Sequence, residues 1–266
     1  MVSKGKLTGI AALGLAAALN AAPAMSAVQT WNFNSGSQSF SSNNNGNTLS
    51  LTSSDGINLT VSAWSDTDDI GGPDRIETAR LNWANSGALG VVNQDEGTGS
   101  PDHAVDSYTN DSDGEYDMLL LEFDTAVNLT DINLNWARDG GVSNRADVSI
   151  LAWNGVGDDT LAGETWGSVL TGSGGGFNVI DNYNNIPLGY YAVNSGDVVS
   201  TQWLVGVYNP VFGGNLSDHG DAFKLSAVKT YTDDTPPPPT DVPVPGSVPL
   251  LLLGLYAMRN RMLRKS

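Results

Sequence analysis

Apolar residues recur at every second position in many short stretches of this chain. This spacing is typical of β-strands that bury one face. The clearest stretches are Leu49 and Leu51; Ile57, Leu59 and Val61; Leu119, Leu121 and Phe123; Val127 and Leu129; Ile132, Leu134 and Trp136; and Val148, Ile150 and Ala152. Similar patterns predict strands at residues 29–33, 78–82, 88–92, 203–208 and 223–227, and a further strand at 177–180.

Clusters of Asn, Asp, Ser and Gly separate these stretches, for example at residues 43–46, 139–141 and 172–176. Such residues favour tight turns, and many short strands with frequent turns are typical of sandwiches. No segment between the termini has the pattern of a long helix, although a helical turn fits residues 166–170. We therefore predict an all-β fold for residues 28–232, a single antiparallel β-sandwich domain with jelly-roll-like connectivity.

The first 27 residues have the three parts of a secretory signal peptide. Lys4 and Lys6 provide the positive start, and residues 7–19 form an uninterrupted apolar segment. This segment is short for a bilayer core of about 30 Å. Small residues then offer cleavage after Ala24 or Ala27. The pattern predicts export by the Sec machinery.

The C-terminal end contains a spacer followed by a short apolar tail. Residues 233–241 include four consecutive prolines, which exclude helix and favour an extended polyproline II linker. The tail, residues 242–266, has an apolar run at 248–258 and then a cluster of basic residues. The apolar run is shorter than the ~20 residues that a lasting transmembrane helix needs. We expect it to anchor the chain in the inner membrane only until it is processed, with the basic cluster on the cytoplasmic side.

The order of features in this tail resembles the PEP-CTERM sorting signal that exosortases read in Gram-negative bacteria. A proline motif, Pro243, Val244, Pro245 and Gly246, stands directly before the apolar run and the arginine-rich end. Val244 occupies the position where the usual motif has Glu. The chain therefore resembles a variant subgroup with a Val-Pro-Val-Pro-Gly type of tail.

Three parts of the body are also similar to exosortase-dependent surface proteins with this type of tail. They are residues 88–91 with 102–106, residues 148–153, and residues 203–209 with 221–225. The resemblance implies transient membrane contact through the tail, processing by an exosortase and delivery to the cell surface or extracellular matrix. It also implies an association with exopolysaccharide and biofilm rather than a known enzymatic activity.

The charge distribution narrows the range of partners. Of 12 basic residues, six lie at the two ends of the chain, so the rest of the chain carries only six against all 29 acidic residues. A field of this sign repels nucleic acid, and we predict no nucleic-acid binding. The chain has no cysteine, which excludes disulfides and thiolate metal sites.

Acidic residues concentrate in the predicted loops, where carboxylates and turn carbonyls could surround Ca²⁺. The candidate calcium ligands are Asp95, Glu96, Asp102, Asp106, Asp218 and Asp221. The alternative is that these acids cap backbone amides and keep the protein soluble. His103 and His219 each follow an Asp, which leaves open a transition-metal site if the two loops meet.

Tryptophans suggest a second kind of site. Trp64, Trp83 and Trp166 lie near predicted strand ends or in loops, where their rings could stack on a sugar. The chain has no nucleophile elbow, zinc-protease or P-loop motif, so we predict no catalytic residues and no enzymatic activity. The leading prediction is a non-enzymatic surface protein. The alternatives are a carbohydrate-binding module and a secreted glycan-active enzyme.

Overall fold

The computed structural model describes residues 28–33, 40–67, 74–84, 87–95, 103–108, 115–217 and 220–232. Most of these residues lie in β-strands, and the helical structure among them is limited to two short 3-10 turns, Thr171–Ser173 and Pro210–Phe212. The strands, numbered along the chain, are β1 (Val28–Asn32), β2 (Thr48–Thr52), β3 (Asn58–Thr67), β4 (Arg75–Thr78), β5 (Arg80–Ala84), β6 (Ala88–Val92), β7 (Val105–Asp106), β8 (Asp117–Asp139), β9 (Val142–Ser143), β10 (Arg145–Trp153), β11 (Phe177–Pro187), β12 (Gly189–Ala192), β13 (Ser200–Val207) and β14 (Asp221–Tyr231).

Strand β8 is 23 residues long, and its two parts belong to two different half-sheets. Its first part pairs with β3 and β13, and its second part pairs with β12 and β14. Residues 124–126, between the two parts, are exposed. The sequence pattern predicted three separate strands here, and the structure corrects this to a single strand.

The first half-sheet has the order β11–β10–β13–β8–β3, and β2 and β4 pair one after the other with the outer edge of β3. In the second half-sheet β14 lies beside β8, and its other edge pairs with β1, β6 and β7. Strand β5 extends this half-sheet by pairing with β6. All of these strand pairs are antiparallel, which confirms the predicted all-β antiparallel class.

The main hydrophobic core lies between the two half-sheets. Alternate residues from both of them enter it, including Leu121 and Trp203 from the first and Leu134, Phe223 and Leu225 from the second. Burying such large side chains contributes roughly 1.5–3 kcal/mol each relative to exposure. Two half-sheets with their apolar faces packed together form a sandwich-like domain, as predicted.

A second core covers the outer face of the first half-sheet. Met118, Leu151 and Leu204 point to this face, on the side opposite to their neighbours in the main core. The connection between β10 and β11 packs over them with Trp166 and Val169. Within this connection the Val169 N–H donates to the Thr165 carbonyl at 3.3 Å, which closes a hydrogen-bonded turn that overlaps the predicted helical turn without forming a helix.

The predicted strand at residues 78–82 is divided in the structure. Ala79 separates β4, which pairs with β3, from β5, which pairs with β6 in the other half-sheet. The Ala79 N–H still donates to the Ala63 carbonyl of β3 at 2.9 Å. The next residue, Arg80, pairs with β6, so the chain crosses between the half-sheets directly after Ala79. A periodic pattern cannot show such a crossing because both strands continue the same alternation.

The predicted signal peptide (1–27), linker (233–241) and tail (242–266) lie outside the described residues, together with the sorting motif. Within the ranges that the structure does describe, no helix is long and apolar enough to cross a membrane.

Candidate functional site

Three aspartates from different strands meet at one end of the sandwich. Asp139 ends β8, Asp147 lies near the start of β10, and Asp221 begins β14. One carboxylate oxygen from each lies within 4.8 Å of those of the other two. We call Asp139, Asp147 and Asp221 the three-carboxylate cluster.

Two glycines allow the chain segments of this cluster to approach closely. Gly140 follows Asp139 with φ of 51°, and Gly220 precedes Asp221 with φ of 90°, a backbone region that glycine adopts easily. The Gly140 N–H donates to the Gly220 carbonyl at 2.9 Å. A β-carbon on Gly220 would lie 3.0 Å from the Gly140 Cα. Glycine therefore permits the contact that places Asp139 beside Asp221.

Hydrogen bonds hold the cluster in place. The Asp147 N–H donates to Asp221 Oδ1 at 2.7 Å. The Asp147 carboxylate accepts from the Asn185 N–H at 2.6 Å and from the Ser217 hydroxyl at 3.2 Å. Asp139 Oδ2 lies 3.5 Å from Nε of Arg145, whose side chain is 42% exposed.

Two of the three carboxyl groups are buried almost completely, since Asp221 is 0% and Asp147 2% exposed. Burial raises the pKa of Asp221 to about 8, and the charges of Asp147 and Asp139 act in the same direction. Burial also raises the pKa of Asp147, against the lowering effect of its hydrogen bond from Asn185. Asp221 Oδ2 is buried and accepts no hydrogen bond from the described part of the chain.

The predicted calcium ligands are brought together only in part. Asp106 and Asp221 are both buried and lie on neighbouring strands, where the Ser107 N–H donates to the Asp221 carbonyl at 3.0 Å. Asp95 is exposed, and its N–H donates to Asn93 Oδ1 at 3.0 Å. Glu96, Asp102 and Asp218 lie outside the described residues, and so does His219 of the predicted histidine pair.

Sequence reasoning missed Asp139 and Asp147. Asp139 stands before two glycines, a pattern that predicts a residue in a turn. Asp147 alternates with Ala146 and Val148, which normally indicates a solvent-facing position in a strand. The sequence does place Asp139 in a predicted turn and Asp147 shortly after it, but no local pattern shows that Asp147 is buried.

Asp66 is a further buried carboxyl group, 7% exposed at the end of β3. It accepts a hydrogen bond from the Tyr116 N–H at 2.6 Å. Burial raises the pKa of Asp66 to about 7, although this hydrogen bond and the nearby Trp166 side chain lower it.

The three candidate stacking tryptophans lie in different environments. Trp83 is 40% exposed, and its indole N–H donates to the Phe33 carbonyl at 3.0 Å. Trp64 is half-buried against the second core. Trp166 is only 2% exposed and packs edge-on against Phe212, so its face is not available to a sugar in this structure.

An open cleft of about 660 Å³ lies at another part of the surface. Its walls include Asn128, Asp131, Lys229 and Tyr231. The Lys229 ammonium lies 3.6 Å from the Asp131 carboxylate and 4.0 Å from the ring centre of Tyr190, a residue that is 43% exposed. Polar groups beside an exposed aromatic ring are suited to hydrogen bonding and stacking with sugars.

Comparisons with known proteins give no further assignment. No protein-family model, curated protein or solved structure matches the chain. The function must therefore be argued from its residues and their arrangement.

Proposed function

We propose that this is an exported, non-enzymatic protein of the Gram-negative cell surface or extracellular matrix. It is delivered by the Sec machinery, held in the inner membrane by its tail, and processed by an exosortase at residues 243–246. In this proposal the acidic β domain is the mature part and associates with exopolysaccharide or biofilm.

The observation that carries this proposal is the order of segments along the chain. A secretion-type segment comes first, and a proline motif, a short apolar run and a basic end come last. Between them lies a cysteine-free β domain whose hydrophobic packing occupies two layers. Such packing supports a domain that functions outside the cell without disulfides.

Mass spectrometry of the mature protein from its host tests the proposal directly. We expect an N-terminus generated after Ala24 or Ala27 and a C-terminus that lacks the residues after Pro245. A host strain without exosortase should retain the full tail. Replacing the motif prolines, Pro243→Ala with Pro245→Ala, should have the same effect, whereas Pro236→Ala in the linker should leave processing intact.

An intact C-terminus embedded in the inner membrane of wild-type cells, with no shortened form outside, would overturn the proposal. Detection of cleavage products when the purified protein is incubated with the host's surface polysaccharide would overturn its non-enzymatic part.

The cleft beside Lys229 supports a second candidate function, carbohydrate binding. Asn128 and Asp197 both line this cleft and are hydrogen bonded to each other at 3.0 Å, so these two polar groups are held in place before a ligand arrives. The exposed ring of Tyr190 offers a face for stacking. A neutral or cationic polysaccharide fits best, because the domain carries a large negative charge.

Polysaccharide binding by the purified protein checks this candidate. Tyr190→Ala should weaken binding roughly two- to tenfold, the effect of losing one aromatic contact. Trp83→Ala is the comparison variant because it removes the exposed tryptophan of the other predicted surface. Loss of binding in Trp83→Ala alone would assign the sugar to that surface, and no binding by the wild type would remove the candidate.

A further inference from the structure

We propose that the three-carboxylate cluster binds one Ca²⁺ ion, which ties together the end of β8 and the beginnings of β10 and β14. This site differs from the predicted one, since it shares only Asp221 with it. The inference is independent of how the protein is exported or processed.

The negative charge of the cluster is only partly compensated by the protein. Three carboxylate oxygens lie within 4.8 Å of one another, and two of the three residues are almost fully buried. Like charges this close, away from water, repel strongly. Arg145 approaches Asp139 at 3.5 Å, but its side chain is 42% exposed and carries a single charge. A divalent cation among the three oxygens would compensate the remaining charge.

Asp221 also brings to the cluster a buried oxygen that accepts no hydrogen bond from the described residues. Asp221 is 0% exposed, and its Oδ1 already accepts the Asp147 N–H at 2.7 Å. Its Oδ2 accepts no hydrogen bond from any described residue. A buried carboxylate oxygen that accepts no hydrogen bond destabilises the folded protein, and a bound cation is one of the few partners that would remove this cost.

The donor chemistry selects calcium. All three side chains offer hard carboxylate oxygens, and the Ser217 hydroxyl lies beside them through its hydrogen bond to Asp147. Ca²⁺ accepts six to eight oxygens in variable geometry and completes its shell with water and carbonyls, whereas Mg²⁺ demands a near-ideal octahedron. Zn²⁺ and Cu²⁺ sites normally include nitrogen or sulfur ligands, and this cluster contains neither.

Thermal unfolding of the purified protein, stripped of metal with EGTA, tests the site. Extracellular calcium sites have Kd values of about 10⁻⁴–10⁻³ M. At 10 mM CaCl₂ such a site should raise the Tm by about 3–10 °C, with a smaller effect from MgCl₂. Isothermal titration with CaCl₂ should give a stoichiometry of one for this transition.

Asp221→Asn is the decisive variant. The Asn side-chain oxygen can still accept the Asp147 N–H, so the fold should be retained while one charged ligand is lost. Without calcium its Tm should stay close to that of the wild type, because the Asn side chain keeps the hydrogen bond from the Asp147 N–H. Its Tm should no longer respond to 10 mM CaCl₂. Asp181→Asn, which removes an exposed carboxylate from β11, should keep the full response.

Three results would overturn the proposal. One is the absence of any calcium-dependent Tm shift or binding heat in the wild type. Another is an equal response in Asp221→Asn and Asp181→Asn, which would place the ion elsewhere. The third is an equal response to MgCl₂ and CaCl₂, which would mean general screening of negative charge.

Discussion

The protonation of one buried side chain, Asp66, makes the stability of the folded protein depend on pH. It lies at the end of β3 with 7% exposure and accepts the Tyr116 N–H at 2.6 Å. Its pKa rises from 3.8 to about 7, mainly because burial disfavours the charged form. The folded protein therefore binds this proton more tightly than the unfolded chain does.

The raised pKa of Asp66 makes the folded protein less stable as the pH rises from about 4 to 7. Protonated Asp66 contributes stability that is fully present below the unfolded pKa of 3.8 and is lost as the pH rises through about 7. Asp66→Asn should remove this contribution while keeping an acceptor for Tyr116. Between pH 4 and 7 the unfolding free energy of the wild type should therefore fall relative to that of the variant. Each pKa unit corresponds to ~1.4 kcal/mol, so we expect a relative change of at least about 1 kcal/mol.

Urea denaturation at several pH values, with EGTA present throughout, checks this prediction. Asp181→Asn is the control because its carboxylate is exposed on β11. Parallel pH profiles for the wild type and Asp66→Asn would contradict the prediction.

At the level of elements, the alternation along β8 changes phase twice. Val127 and Leu129 are buried, then Ile132 and Leu134, and then Ala137. Each change coincides with a register shift against β14, one near Thr130 and one near Asn135. A bulge adds a residue to one strand and so moves later side chains to the other face.

The second shift explains the position of Trp136. Its spacing from Ile132 and Leu134 predicts a core residue, but it is half-buried. The Lys224 ammonium lies 5.4 Å from its ring centre, a distance that allows a cation–π contact. Asn135 is the extra residue on β8 at this register shift, and it places Trp136 on the other side of the strand from Leu134.

Strand β13 approaches β8 closely at Gly206. A β-carbon there would lie 2.4 Å from the Asp117 carbonyl oxygen and 2.5 Å from Met118 Cγ. Gly206→Ala must therefore push the two strands apart, and we expect a loss of about 1–3 kcal/mol in unfolding free energy. Gly172→Ala is the matched control, since no atom lies within 4 Å of its added carbon. Equal stability of the two variants in urea denaturation would show that β13 can shift without cost.

At the level of the whole molecule, β8 makes the two half-sheets depend on each other. Its first part supplies Leu119 and Leu121 to the main core, and its second part supplies Ile132 and Leu134. Neither half-sheet retains its pairing partner if β8 detaches, because β3, β13 and β14 all pair with it. The domain should therefore unfold as one cooperative unit.

This cooperativity can be measured with one variant from each half-sheet. Leu119→Ala and Leu134→Ala each remove a fully buried side chain and should cost about 2–5 kcal/mol. Both should shift the same single transition, with tryptophan fluorescence and far-UV circular dichroism giving the same midpoint. Val156→Ala, at a residue 74% exposed, should change little. Two separate transitions, each sensitive to only one variant, would refute the prediction.

The recurrence of apolar residues at every second position was sufficient to predict the fold class and several of the strands. Strand β6 occupies residues 88–92, as its pattern predicts, and β2, β10, β13 and β14 include the positions that their patterns predict, except for Tyr208, but are longer. Alternation is a local property, because successive side chains of an extended chain point to opposite faces whatever the strand pairs with. The acid-rich loops also indicated Asp221 as a candidate calcium ligand, but its burial was not predicted.

Only the tertiary structure decided which carboxylates meet. Asp147 and Asp221 are 74 residues apart in the chain, and the Asp147 N–H donates a hydrogen bond to the Asp221 carboxylate. A polar position on a strand looks the same in sequence whether water or another segment covers it, so the burial of Asp147 was not predictable. Pairing, register shifts and the covering of faces depend on contacts between distant residues, and no local pattern specifies them.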